Sequence, residues 1–81
     1  MTSQAANQIV TTIGRNIRSA RIAAGLTQRA LATKLGLDIR AVNRWERAGI
    51  MPSAQNLAKL ADELGHDPGW FYTDHAEQAA A

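Results

Sequence analysis

The stretch that decides the fold is Leu26–Arg47, LTQRALATKLGLDIRAVNRWER. Thr27 is a favoured N-cap residue, and the segment after it, Gln28 to Leu35, carries Ala30, Leu31 and Leu35 on one helical face. Gly36 closes that helix, because glycine takes the positive φ of a tight turn without a steric penalty. Asp38 then caps a second short helix, Ile39 to Arg47, with Val42 and Trp45 inward and Arg40, Asn43 and Arg44 outward. Ala32 stands where the two helices cross, and its single methyl lets them approach closely. The result is a pair of short helices across one tight turn, the second presenting a polar, cationic face.

Outward from this pair the pattern stays helical. Val10, Ile13, Ile17, Ala20 and Ala24 recur at spacings of three and four, a first helix ending at Gly25, with Asn7, Thr11 or Thr12 as its cap. Pro52-Ser53 opens a fourth helix whose apolar face is Leu57, Leu60, Ala61 and Leu64, and Gly65 ends it. Asp67 as N-cap with Pro68 in the first helical position predicts a short fifth helix holding Trp70, Phe71 and Tyr72. No run alternates as a strand does. The expected architecture is all-α, with five helices in one domain over residues 9–73. The pattern-free ends, 1–8 and the acidic, alanine-rich 74–81, are expected to be flexible.

With 81 residues, 46% hydrophobic, the chain has material for one core. The absence of cysteine removes thiolate metal sites and thiol catalysis. No run approaches the ~20 apolar residues of a membrane span, and MTSQAANQIV lacks the basic start and apolar stretch of a signal peptide. A cytoplasmic protein without a membrane partner or cofactor is expected. The formal charge of +2 conceals a division: all nine basic residues lie between 15 and 59, where Asp38 and Glu46 are the only acids, a net of +7. From residue 60 onward five acids stand without a base, a net of −5. Such a chain presents one face to a polyanion.

Gln28 opening its helix, Ala32, Leu35-Gly36-Leu37 at the turn, Val42, Trp45-Glu46-Arg47, and Pro52 seven residues past Trp45 occur together and in order. In these features residues 13 to 73 resemble the helix-turn-helix family of Cro and the lambda-type repressors, the XRE-like regulators, with the motif itself at about 27–47. The resemblance implies a lambda-repressor-like DNA-binding domain whose third helix enters the major groove of a double-stranded operator. By matching position, Ile39, Arg40, Asn43 and Arg44 are the expected base readers. Arginine can grip guanine O6 and N7, asparagine can pair with adenine, and isoleucine can meet a thymine methyl. Thr27 and Gln28 fall where the family sets a helix N-terminus against phosphate; Arg29 and Lys34, and more weakly Arg15 and Arg18, are further phosphate candidates. Arg21 and Glu46 match an ion pair between the first and third helices, a structural role shared with Trp45, Ala32 and Gly36.

Three positions depart from the family pattern. Ala30 replaces the usual capping-box acid, and Asp38 the usual hydroxyl cap, where it would repel phosphate unless it accepts from a cytosine amine. The loop Ala48-Gly49-Ile50-Met51 lacks basic residues, leaving its phosphate contacts to backbone amides, Ser53 or Gln55, and Ile50 and Met51 to core or dimer packing. One short helix reads about half an operator, so the expected form is a homodimer, at least on DNA, acting as a small repressor of the phage or prophage Cro type on a palindrome. Trp70, Phe71 and Tyr72 are candidates for that contact or for capping the core. An enzyme is not expected: His66, Asp67, Asp74 and His75 are the nearest approach to a metal-ligand cluster, at no fixed ligand spacing. An antitoxin-type regulator, which binds a toxin protein and represses its own operon, is the alternative. The chain can also be the DNA-binding part of a longer repressor.

Overall fold

The structure, a computed structural model, describes residues 4–75. It consists of α1 (Gln4–Ala23), α2 (Gln28–Leu35), α3 (Ile39–Glu46), α4 (Ala54–Leu64) and a 3-10 turn, Pro68–Tyr72. Every described element is helical. α1 packs against α3, α4 and the 3-10 turn, and α2 packs against α3 and α4. Ile13, Ile17 and Ala20 of α1 meet Leu31, Ala32, Leu35, Val42, Trp45, Leu57, Leu60, Ala61 and Phe71 in one core.

Local chemistry explains the boundaries. Thr27 Oγ1 accepts from the Ala30 amide at 3.0 Å, Asp38 Oδ1 from the Arg40 amide at 2.8 Å, and Ser53 Oγ from the Asn56 amide at 3.1 Å. Each satisfies a helix-end donor that the helix itself cannot. Gly36 sits at φ 70°, with its own amide bonded to the Thr33 carbonyl at 3.1 Å and the Leu37 amide to the Ala32 carbonyl at 2.9 Å. This double closure aims the chain back toward α3.

Two expectations about the ends are corrected. α1 begins at Gln4 and runs straight through Asn7, Thr11 and Thr12, which therefore do not cap it. Its first residues, 4–9, are exposed, so no apolar periodicity marks them; good helix formers such as Gln4, Ala5 and Ala6 extend the helix without burying anything. Ala24, expected on the buried face, is exposed beyond the end of α1. The expected tail 74–81 lies outside the described residues apart from Asp74 and His75.

The fifth α-helix is instead the 3-10 turn, giving four α-helices in place of five among the described residues. Asp67 has cap geometry but makes no side-chain cap bond. The reason for the tighter turn lies on α1. Asn16, buried, donates its Nδ2 to the carbonyls of Phe71 at 2.9 Å and Thr73 at 2.7 Å, with the Trp70 carbonyl at 3.4 Å. Carbonyls held by a side chain are not free to align with successive amides along a continuing α-helix, and this clasp seats fully buried Phe71 in the core.

Gly14 sets the approach of α3 to α1, and Ala48 turns the chain out of α3. A methyl on Gly14 would collide with the Trp45 carbonyl oxygen. Ala48, just past α3, is held at φ 59°, a left-handed conformation that disfavours alanine by about 1 kcal/mol. Gly14→Ala is expected to lower unfolding stability by about 2 kcal/mol, since its helix-propensity gain of about 1 kcal/mol cannot offset overpacking against backbone. Ala48→Gly is expected to raise stability by about 0.5 kcal/mol, the relieved strain being partly offset by a more flexible unfolded chain. Urea unfolding of the two variants beside the parent protein measures both.

Candidate nucleic-acid interface

The outer face of α3 is the most strongly functionalised surface among the described residues. Arg40 and Arg44 are exposed and one turn apart, and Asn43 beside them is half-buried. Ile39 is also half-buried and packs partly against the core, so only part of its side chain is available outside. Val42 and Trp45 on the opposite face are buried, which fixes the roll of α3.

Behind this face lies a hydrogen-bonded chain that ties three helices together. Arg21 of α1 donates Nε to Glu46 Oε2 at 2.7 Å and Nη2 to Glu46 Oε1 at 3.0 Å, while its Nη1 reaches the Leu26 carbonyl at 2.8 Å. The two side chains are only 12% and 4% exposed. Hydrogen bonding to Glu46 raises the Arg21 pKa above its ordinary value against the opposing effect of burial. Gln28 of α2 donates Nε2 to Glu46 Oε1 at 3.1 Å, and Asn43 Nδ2 approaches Gln28 Oε1 at 3.4 Å. A carboxylate only accepts, so Gln28 must turn its amino group toward Glu46 and its oxygen toward Asn43. The Gln28 side chain is therefore engaged inside the protein, and what α2 offers outward at its start is backbone: Thr27 satisfies the Ala30 amide, leaving those of Gln28 and Arg29 at the helix end.

At the start of α3, Arg40 makes a two-point contact with Asp38, Nε to Oδ1 and Nη2 to Oδ2, each at 3.1 Å. These bonds, followed by the Arg40 backbone bond, hold the Asp38 carboxyl at about 2, below its usual 3.8, and raise the Arg40 pKa in turn. Spacing rules for helices do not flag a pair two residues apart. It forms because Asp38, at φ −71° and ψ 144°, lies outside the helix and can swing over the first turn.

The remaining candidates separate. Arg29 is exposed and lines a shallow notch with Thr33, Leu37, Asp38 and Ile39, at the same end as Arg40. Lys34 lies instead in a groove with Lys59, Asp62 and Glu63, between α2 and α4. Ser53, exposed, uses its hydroxyl oxygen as the α4 cap, and Gln55 is exposed on the first turn. Arg15 is exposed and pairs with Asp74 at 3.7 Å, and Arg18 is exposed on α1. Ile50 and Met51 are exposed, not core residues.

The aromatic end divides between its two expected roles. Phe71 is inside the core and not available to a partner, whereas Tyr72 is exposed. Trp70 stacks with both His66 and His75, at centroid distances of 3.8 and 4.2 Å, and His75 Nε2 donates to the Trp70 carbonyl at 2.8 Å. Both histidine rings thus stack on one indole; among the described residues no three of His, Cys, Asp and Glu are grouped as metal ligands. Nor is any described helix long and apolar enough to cross a membrane.

Comparison with known proteins agrees with this geometry. The model of a family described as Helix-turn-helix matches residues 17–71. An uncharacterized HTH-type transcriptional regulator of Sinorhizobium fredii is 29% identical over 69 residues, 85% of this chain and 48% of its own, so the chain spans about half the length of that curated relative. Among solved structures, the restriction-modification controller protein C.AhdI from Aeromonas hydrophila is 35% identical with a TM-score of 0.73, covering 78% of this chain and 96% of its own. The P22 c2 repressor protein, solved in complex with a synthetic operator, is 30% identical with a TM-score of 0.72, covering 75% of this chain and 92% of its own. These relatives are a regulator, a controller protein and a repressor, not enzymes.

The buried pair predicts an asymmetry. Glu46→Leu alone strands the Arg21 guanidinium and is expected to cost about 3 kcal/mol, whereas the double variant Arg21→Met with Glu46→Leu recovers much of that loss. Denaturant unfolding of the single and double variants measures the difference.

Proposed function

This chain belongs to the helix-turn-helix family, of the Cro and lambda-repressor kind, and from that premise we propose that it is a sequence-specific DNA-binding regulator of transcription. The observation that carries the reading is the two-sidedness of α3: Val42 and Trp45 are locked into the core, and the cationic, hydrogen-bonding set Arg40, Asn43 and Arg44 lies on the other side. A helix so held fits a major groove about 12 Å wide, with long side chains at base-edge height.

The roles divide by chemistry. Arg40 and Arg44 take guanine edges and Asn43 an adenine edge, while the exposed part of Ile39 rests against a thymine methyl. The Gln28 and Arg29 amides at the positive end of α2 receive a phosphate, and the Arg29 side chain adds a second contact. Lys34, facing Asp62 and Glu63, is left out of this set. Ser53 keeps a hydroxyl proton to donate to phosphate while its oxygen caps α4. The basic span 15–59 contains every one of these groups.

A single eight-residue helix covers about half of an ordinary operator. Two copies related by a two-fold axis, reading half-sites about 34 Å apart on a palindrome, complete it and make the protein a repressor of the Cro type. The exposed Ile50, Met51 and Tyr72 are apolar surface for contact between copies.

The test is binding to the duplex that the protein itself selects from a random library. Arg44→Ala is expected to cost about 1–3 kcal/mol there and to relax preference at one base pair. Equal loss on selected and random duplexes would remove Arg44 from the readers. Arg29→Ala is expected to weaken all sequences alike and to reduce the salt slope by about one, whereas Lys34→Ala leaves the slope unchanged.

A further inference from the structure

The contact between Asp38 and Arg40 asks for an explanation that stability does not supply. Its two side chains are 55% and 78% exposed, and an ion pair in water adds little to folding. Nor is it needed for the cap: Asp38 Oδ1 already accepts from the Arg40 backbone amide at 2.8 Å, and one oxygen suffices for that bond. The added interaction is the engagement of the guanidinium by both carboxylate oxygens.

That engagement leaves one edge of the guanidinium unused. A guanidinium is a rigid plane with five N–H donors. Asp38 takes the Nε hydrogen and one on Nη2, leaving both hydrogens of Nη1 and the second on Nη2. The remaining Nη1–Nη2 edge is a two-donor fork facing away from Asp38, and it matches the O6 and N7 acceptors of guanine. We propose that Asp38 is a positioning residue that holds Arg40 with this edge presented to the major groove, so that the base pair under Arg40 is read as guanine. The proposal deepens the DNA-reading role of α3 and rests on it.

Two physical effects follow from the brace. An arginine that is ordered before binding loses less side-chain freedom on the base, an advantage of about 2- to 10-fold for the matched guanine. The carboxylate also offsets the charge that Arg40 would otherwise offer to any phosphate, so Arg40 contributes to discrimination more than to indiscriminate attraction. An aspartate carboxyl is ionised at neutral pH, so both of its oxygens are acceptors for the guanidinium there.

Asp38→Asn separates bracing from capping. Asparagine is as good an N-cap as aspartate, but it presents one acceptor oxygen and no charge to the guanidinium. The parent protein, Asp38→Asn and Arg40→Ala are compared on the duplex that the parent selects from a random library, on its single-base-pair variants, and on a random-sequence duplex. Asp38→Asn is expected to melt like the parent, to bind the random duplex at least as tightly, and to lose about 2- to 10-fold of its preference at the base pair that Arg40→Ala also ceases to distinguish. Undiminished preference there, equal loss at every base pair, or loss at a neighbouring pair read through a cytosine amine would overturn the brace while leaving the DNA reading intact. If Arg40→Ala keeps its preference at every base pair, Arg40 is not a reader and the brace has nothing to position. In the free protein, the Arg40 Nε–H resonance is expected to be shifted and slow to exchange, and to revert to that of a free side chain in Asp38→Asn. The same resonance in both proteins contradicts the proposal before any DNA is added.

Discussion

The carboxylate of Glu46 is the point on which the placing of α3 and its outer face depends. It sits at the last turn of α3 and accepts three hydrogen bonds, two from Arg21 on α1 and one from Gln28 on α2. An apolar core of alanine, leucine and isoleucine packs well but tolerates small rotations and slides of its helices. Directional bonds to one nearly buried group do not. The price of burying the two charges is met by short, multiple contacts, and the return is register: α3 is fixed along its axis as well as in its roll. Because Gln28 is oriented by Glu46, and Asn43 meets the oxygen that Gln28 turns toward it, the same carboxylate reaches through to a side chain of α3 that borders the outer face.

Much of this was legible in the residues, and the legible part is local. Thr27, Asp38 and Ser53 as caps, Gly36 as turn, and the division of α3 into Val42 and Trp45 against Arg40, Asn43 and Arg44 all follow from chemistry within a few positions. The family resemblance supplied the pairing of Arg21 with Glu46, which no local rule contains. What escaped was either long-range or unpatterned. Asn16 reaches carbonyls more than fifty residues away, and nothing around it in sequence marks it as a clasp. Gly14 lies in the middle of a helix, and its need for a bare Cα shows only when the Trp45 carbonyl is placed against it. The start of α1 rests on propensity without burial, and the inward turn of Gln28 depends on an acceptor from another helix.

Electrostatics along the chain acquire a spatial meaning in the fold. The acidic end is not simply held apart: Asp74 pairs with Arg15 on α1, and Asp62 and Glu63 share a groove with Lys34 and Lys59. Asp74 thus pairs with a cation away from α3, while Arg29, Arg40, Arg44 and Arg47 stand exposed on or beside α2 and α3. Asp38 is the exposed acid placed beside them, and its carboxylate is bonded through both oxygens to the Arg40 guanidinium.

Contact with DNA through α3 and the start of α2 would be read out residue by residue in the amide resonances of the protein as a duplex is added. On titration of the uniformly labelled protein with the duplex it selects from a random library, the largest shifts are expected at Thr27 to Arg29 and Ile39 to Arg44. Far smaller changes are expected at Trp70 to Thr73 and along the outer face of α4. Shifts centred on the cleft of α1 lined by Asn7, Thr11 and Arg15, or on the Trp70 end, with α3 unmoved, would contradict it.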